Sequence, residues 1–123
     1  MNSVDKQHLR RHFRTQRKAL TKTEQRQAQS NCCKQLIANP YFQKAEQIAF
    51  YLANDGEVSP ACALNYAQKT GKTCYLPVIT TQGSLQFAAV DKQTQFKKNQ
   101  FGIEEPVNTE QVAATSLDLI LLP

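Results

Sequence analysis

Gln47-Ile48-Ala49-Phe50-Tyr51-Leu52-Ala53-Asn54-Asp55-Gly56-Glu57-Val58 sets an apolar run of strand length against a turn that carries carboxylates. Such a run, with its β-branched and aromatic bias and its Asn-Asp-Gly closure, has the pattern of a strand buried on both faces, here from about Gln47 to Leu52. Ligands of open α/β sheets collect just beyond the carboxyl ends of such strands. Glu57 and its turn therefore fall where a site would form. The same residues also suit a plain surface turn, with Gly56 supplying a positive φ and the acids supplying solubility.

Working outward, Ser59-Pro60 offers an N-cap and a first-turn proline for a helix that ends at Gly71, and Thr73–Ile79 follows as the next strand. Strand, helix and strand in that order predict a right-handed parallel βαβ unit. Gln82-Gly83 marks a turn, Leu85–Val90 a further strand, and residues 91–99 a polar loop. Phe101-Gly102-Ile103-Glu104-Glu105-Pro106 reads as a compact turn whose aromatic must pack on the core or on a ligand. Ser116–Pro123 is expected to form another buried strand. A domain that closes on such a strand without a covering helix leaves part of its sheet unaccounted for, the pattern expected of an incomplete domain. Upstream, Thr21-Lys22-Thr23-Glu24 fits a capping box. It predicts a helix from near Thr23 to Asn39, ended by Pro40, with Ala28, Cys32 and Leu36 on its buried face.

The 123 residues suffice for one domain, residues 1–123, and 41% hydrophobic with 20% charged residues is ordinary for a globular protein. No apolar run is long enough to cross a membrane. Met1-Asn2-Ser3-Val4-Asp5-Lys6 lacks the apolar core of a secretory signal, so a cytoplasmic location is expected. Cys32, Cys33, Cys62 and Cys74 show no Cys-x-x-Cys spacing and are expected to be reduced core thiols. His8 and His12 stand four apart without a third ligand at motif spacing, so they read as solvated and no metal ligand is assigned.

The net charge of +5 is confined to one segment. Residues 1–20 carry six basic side chains against Asp5 alone, whereas the rest of the chain is balanced at nine and nine. Over Asp5–Leu20, Leu9 and Phe13 share one helical row and Lys6, Arg10 and Arg14 another, extended by Arg17. One row is expected to dock on the body while the other meets an anion or simply faces solvent. A small nucleic-acid-binding module is an alternative use of such a helix, although Phe13 is its only aromatic.

Lys6-Gln7-His8-Leu9-Arg10 with Arg14, Arg17 and Ala19-Leu20, then Phe50 to Val58, Gly71-Lys72 with Tyr75-Leu76-Pro77, Phe101-Gly102-Ile103 with Pro106, and Leu117-Asp118-Leu119 to Pro123 come in an order that resembles the 5-formyltetrahydrofolate cyclo-ligases. The resemblance spans essentially the whole chain. It implies a three-layer α/β fold with an open, largely parallel sheet flanked by helices, of the CoA-transferase-like kind. It also implies ATP-dependent closure of 5-formyltetrahydrofolate to 5,10-methenyltetrahydrofolate, with ADP and phosphate released and Mg²⁺ required.

By the same resemblance, Lys6, Gln7, His8, Leu9 and Arg10 match the ATP-binding segment, with Arg14 further along that face. Leu52 and Glu57 match folate-contacting positions, and Phe101 matches an aromatic beside the substrate. No catalytic residue is assigned. Family members continue past the Leu-x-x-Pro strand into a G-x-x-F-D and G-x-G-x-G-Y-Y-D segment that cradles the ATP phosphates and helps hold Mg²⁺. None of it is present here, so this chain alone is expected to be inactive.

Overall fold

The computed structural model describes residues 3–54 and 56–123. Met1, Asn2 and Asp55 lie outside them, and with them the reading of Met1-Asn2 as a non-secretory start and of Asp55 as part of the strand-end turn. Among the described residues the helices are α1 (Ser3–Lys18), α2 (Lys22–Ala38), α3 (Pro40–Lys44) and α4 (Ala61–Lys69). The strands are β1 (Gln47–Ala49), β2 (Thr73–Ile79), β3 (Leu85–Val90), β4 (Gln95–Lys98), β5 (Glu104–Val107), β6 (Gln111–Val112) and β7 (Leu119–Ile120). No described helix is long and apolar enough to cross a membrane.

The capping box forms as its residues dictate. Thr21 Oγ1 accepts the Glu24 N–H at 3.1 Å, and Glu24 Oε1 accepts the Thr21 N–H at 2.9 Å, which satisfies two donors that a helix start leaves open. Those bonds from Thr21 hold the Glu24 carboxyl below its ordinary value. The buried face of α2 runs through Cys33, with Leu36 and Ile37 packed against the core, whereas Cys32 is exposed. Of the expected face, Leu36 packs against the core and Ala28 is half-buried, and only Cys32 is corrected, its place being taken by Cys33. Pro40 ends α2 and also opens α3, because Asn39 Oδ1 accepts the Tyr41 N–H at 2.9 Å and proline suits a first turn.

The expected βαβ unit is present as β1, α4 and β2, with Gln47 opposite Thr73 and Ala49 opposite Tyr75 in a parallel ladder. The five-stranded sheet has the order β6-β3-β2-β1-β7. The β1 contacts to β2 and β7 are parallel, and the β2–β3 and β3–β6 contacts are antiparallel. Side chains alternate across it. Ile48, Phe50, Cys74 and Leu76 face a cluster with Phe42, Ala45, Ala63 and Ala67, where helices α2 to α4 pack. Ala49, Tyr75 and Phe87 form a smaller cluster on the other face, with Val112 and Leu117 against it.

Three expectations are corrected. Residues 91–99 are not all loop, since β4 pairs with β5 in an antiparallel ribbon, Gln95 opposite Val107 and Phe96 opposite Pro106. All four β4 side chains are exposed, so no burial period marked the strand. Ser116–Pro123 is not a buried strand: Ala114–Ser116 is a 3₁₀ turn, and only Leu119–Ile120 pairs, along one edge, with Ile120 exposed. The cysteines are not four core thiols, because Cys33 and Cys62 form a disulfide between α2 and α4 and only Cys74 is a buried free thiol. Cys33 and Cys62 stand 29 residues apart in the chain, and only the packing of the two helices brings them together. Burial pushes the Cys74 thiol up to about 11, with the nearby Lys72 charge opposing it.

Phe42 is fully buried, edge-on to Phe50 at 6.5 Å between ring centroids and beside Tyr66 at 6.2 Å. Phe42→Ala is expected to cost about 3–5 kcal/mol in denaturant unfolding, since a phenyl leaves a cavity there. A loss below about 1 kcal/mol would contradict this packing. Asp118 Oδ2 accepts the N–H groups of Gln47 and Glu46, both at 2.9 Å, and ties the start of β7 to the start of β1. These two donors hold its carboxyl below the ordinary value. A folded-state pKa below the unfolded one gives stability that is present above the unfolded pKa and lost as pH falls through the folded value. Thermal melts below about pH 4 are expected to show a shallower acid loss in Asp118→Asn than in the unaltered chain. Parallel acid limbs would show that Asp118 is not linked to folding.

Candidate substrate-binding site

Because β1, β2 and β7 run parallel, their carboxyl ends share one edge of the sheet. At that edge the chain leaves β1 through buried Phe50, whose N–H donates to the Tyr75 carbonyl at 2.8 Å. The Tyr51 hydroxyl then donates to the Val58 carbonyl and folds the following loop back on itself. Inside that loop, Glu57 Oε1 accepts the Asn54 N–H at 3.0 Å while the Glu57 N–H donates to the Asn54 carbonyl at 3.1 Å. The half-buried Glu57 carboxylate is thereby fixed, and it keeps acceptor capacity beyond its bond to Asn54. Leu52 is exposed in the same loop. Burial raises the Tyr51 phenol, and the neighbouring Cys32 and Glu57 add to the effect. Sequence reasoning left Tyr51 without a role, because only the folded loop shows what its hydroxyl reaches.

The cationic helix meets this loop. A Cβ placed on Gly56 would lie 3.4 Å from Arg17 Cβ and 3.7 Å from the Arg17 carbonyl carbon, so the last turn of α1 abuts the strand-end turn. Lys6, Gln7, His8, Leu9, Arg10 and Arg14 all lie on α1 and are exposed. Gln7, Arg10, Arg11 and Arg14 line a groove of about 410 Å³. Leu9, Phe13, Arg10, Arg14 and Arg17 line one of about 400 Å³ that shares two of those arginines. The docking expected of Leu9 and Phe13 is corrected: they are 37% and 52% exposed and wall the groove instead. With only one helix supplying that row, too little neighbouring surface reaches it to bury it.

Phe101 occupies the turn between β4 and β5 and is 65% exposed, so it does not pack into the core. Asn99 Oδ1 accepts the N–H groups of Phe101 at 2.8 Å and Ile103 at 3.1 Å, and Gly102 takes φ +75° to close the turn. Glu105 Oε2 accepts the Ile79 N–H at 2.8 Å, which anchors this ribbon to the carboxyl end of β2. Leu52, Glu57 and Phe101 therefore all sit at the carboxyl-end side of the parallel strands. A cleft of about 640 Å³ lies at the opposite end of β2, between Gln68, Thr73, Cys74 and Thr94. There Lys72 already donates to the Gln43 and Ala45 carbonyls at 2.8 and 2.6 Å, so its charge is committed to the fold. Among the described residues no group of three His, Cys, Asp or Glu side chains can hold a metal ion, and no step is assigned to Mg²⁺ here.

Gly56 adopts φ +80°, a region that costs an L-residue about 1–2 kcal/mol. Gly56→Ala is expected to lower stability by about that amount and to raise amide exchange from Asn54 to Glu57. Unchanged stability and exchange would place the turn in another conformation.

The family model described as the 5-formyltetrahydrofolate cyclo-ligase family matches residues 2–123. The 5-formyltetrahydrofolate cyclo-ligase of Haemophilus influenzae is 32% identical over 127 residues, covering 100% of this chain and 68% of the relative. That of Escherichia coli K12 is 28% identical over 115 residues, covering 90% of this chain and 63% of the relative. The solved 5,10-methenyltetrahydrofolate synthetase of Aquifex aeolicus superposes with a TM-score of 0.85 at 27% identity, over 96% of this chain and 60% of that one. The Mycoplasma pneumoniae synthetase shares the fold at a TM-score of 0.73 and 17% identity, over 97% of this chain and 63% of that one. The chain thus spans about 60–68% of the length of these relatives. None of these matches supports a nucleic-acid-binding module. With a family match over residues 2–123 and a relative 32% identical along the whole chain, the chain belongs to the 5-formyltetrahydrofolate cyclo-ligase family.

Proposed function

We propose that this chain binds 5-formyltetrahydrofolate at the carboxyl ends of β1 and β2 and ATP along α1, as part of an ATP-dependent ring closure to 5,10-methenyltetrahydrofolate in the cytoplasm. The observation that carries this reading is the abutment of the last turn of α1 on the strand-end turn, where a Cβ added at Gly56 would lie 3.4 Å from Arg17 Cβ, so that a cationic helix stands beside a carboxylate-bearing strand end. Phosphoryl transfer asks a protein mainly for positioning and charge neutralisation. On this reading the formyl oxygen attacks the γ-phosphoryl group and ADP leaves. N10 then attacks the activated formyl carbon, and phosphate departs as the five-membered ring closes.

Lys6 and Arg10 stand one helical turn apart, a compact ammonium and a planar fork suited to phosphate oxygens, with Arg14 one turn further on. Glu57 offers an oriented acceptor to folate N–H groups, and Leu52 and Phe101 offer apolar surface to its rings. Mg²⁺, carried by the nucleotide, would shield its phosphates. The described residues supply no acidic cluster to hold it separately.

A hydrogen bond to a charged group is worth about 1.5–3 kcal/mol, or roughly 10- to 150-fold in affinity. Calorimetric titration of Glu57→Gln is therefore expected to show 5-formyltetrahydrofolate binding weakened within that range and ATP binding unchanged. Arg10→Ala is expected to weaken ATP about 10-fold and to leave folate binding unchanged. Unchanged affinities in both variants, or a salt-sensitive affinity for mixed-sequence DNA above that for ATP, would overturn the reading.

A further inference from the structure

The turn that presents Phe101 is held by side chains that touch neither the core nor, on the reading above, either substrate. Asn99 works in two directions at once. Its Oδ1 gathers the N–H groups of Phe101 and Ile103 at 2.8 and 3.1 Å, and its Nδ2 donates to Glu105 Oε2 at 3.1 Å. The Asn99 main chain adds a bond in each direction: its N–H donates to the Ile103 carbonyl at 2.8 Å, and its carbonyl accepts the Gly102 N–H at 3.0 Å. The same Glu105 oxygen accepts the Ile79 N–H at 2.8 Å, at the last residue of β2. A continuous polar relay therefore runs from the carboxyl end of a central strand, through Glu105 and Asn99, to the backbone of an exposed aromatic.

Glu105 and Asn99 are half-buried, whereas the Phe101 ring they support is 65% exposed and makes no use of the core. These bonds do, however, fix the Phe101 main chain, and with it the point from which the ring projects. A pre-set aromatic surface loses less freedom on meeting a flat ligand than a mobile one.

We propose that Asn99 and Glu105 are positioning residues that act through Phe101, holding its ring at the carboxyl-end edge as a preformed wall for the flat heteroaromatic ring of the folate. This rests on the folate reading of Leu52, Glu57 and Phe101. Neither residue touches substrate. Glu105 registers the β4–β5 ribbon against β2, and Asn99 sets the orientation of the Phe101 backbone within it.

The test is a double-mutant cycle on the full chain, read by calorimetric affinity for 5-formyltetrahydrofolate and for ATP and by thermal melting. Phe101→Ala and Asn99→Ala are each expected to weaken folate binding about 10-fold and to leave ATP binding unchanged. The double variant is expected to be no weaker than Phe101→Ala alone, because Asn99 acts only through that ring. Glu105→Gln, which keeps an acceptor for the Ile79 N–H, is expected to restore most of the folate affinity that Glu105→Ala loses. Asn99→Ala that lowers the melting temperature without changing folate affinity would reduce the relay to a structural role and overturn the proposal. Losses from Asn99→Ala and Phe101→Ala that simply add would do the same. If Phe101→Ala has no effect while Glu57→Gln weakens folate, the positioning role falls and the site reading stands. If neither variant changes folate binding, both fall.

Discussion

Strand β1 is paired on both edges and buried on both faces, and the rest of the molecule is arranged around that constraint. Its Gln47, Ala49 and Phe50 backbone groups are taken by Asp118, Leu121 and Tyr75, so the strand has no freedom to slip. A one-residue shift would exchange Ile48 and Phe50, which fill the larger helix-covered core, with Ala49, which suits the thinner face. The chain must then leave the sheet at a defined point. The loop it enters is closed by Tyr51, Asn54 and Glu57 and braced by the last turn of α1. The location of the candidate site is thus a consequence of strand pairing, and its chemistry comes from the few side chains set at the exit.

Helix α1 shows the other half of the arrangement. It adds nothing to the buried core, yet it carries the whole excess of positive charge and touches the body where the strand-end turn lies. A helix used only for stability would bury its Leu9 and Phe13 row; here both side chains of that row border an arginine-lined groove. The core is built by Phe42, Phe50, Ile48 and their neighbours, and charge is displayed by a helix that contributes no residue to it.

Much of this is legible in the chain. Thr73–Ile79 and Leu85–Val90 are strands to the residue, because apolar runs bounded by Gly71 and Gln82-Gly83 leave little choice of end. The capping box at Thr21 to Glu24 likewise sets the start of α2. What escaped reading lacked a local signal. Strand β4 has no buried face, β6 and β7 are two residues each, and the Cys33–Cys62 pairing depends on how two helices pack. Around the candidate site, the Glu57 turn was placed by its position after an apolar strand, whereas Leu52 and Phe101 were assigned by the family resemblance alone. The support from Asn99 and Glu105 was hidden, since their bonds to Phe101 and Ile79 exist only once the ribbon docks. An Asn two residues before an aromatic-glycine pair was the one available hint, as a turn-forming side chain.

The central claim, that the carboxyl-end edge of the parallel strands binds folate while α1 binds nucleotide, is tested most directly by amide chemical-shift mapping on isotopically labelled chain. Titration with 5-formyltetrahydrofolate is expected to move the Leu52, Asn54, Gly56, Glu57 and Phe101 amides. Titration with a non-hydrolysable ATP analogue is expected to move those of Lys6 to Arg17, with both ligands shifting Gly56. Shifts confined to the cleft around Gln68, Thr73 and Thr94, or the two ligands perturbing one another's residues in reverse, would contradict it.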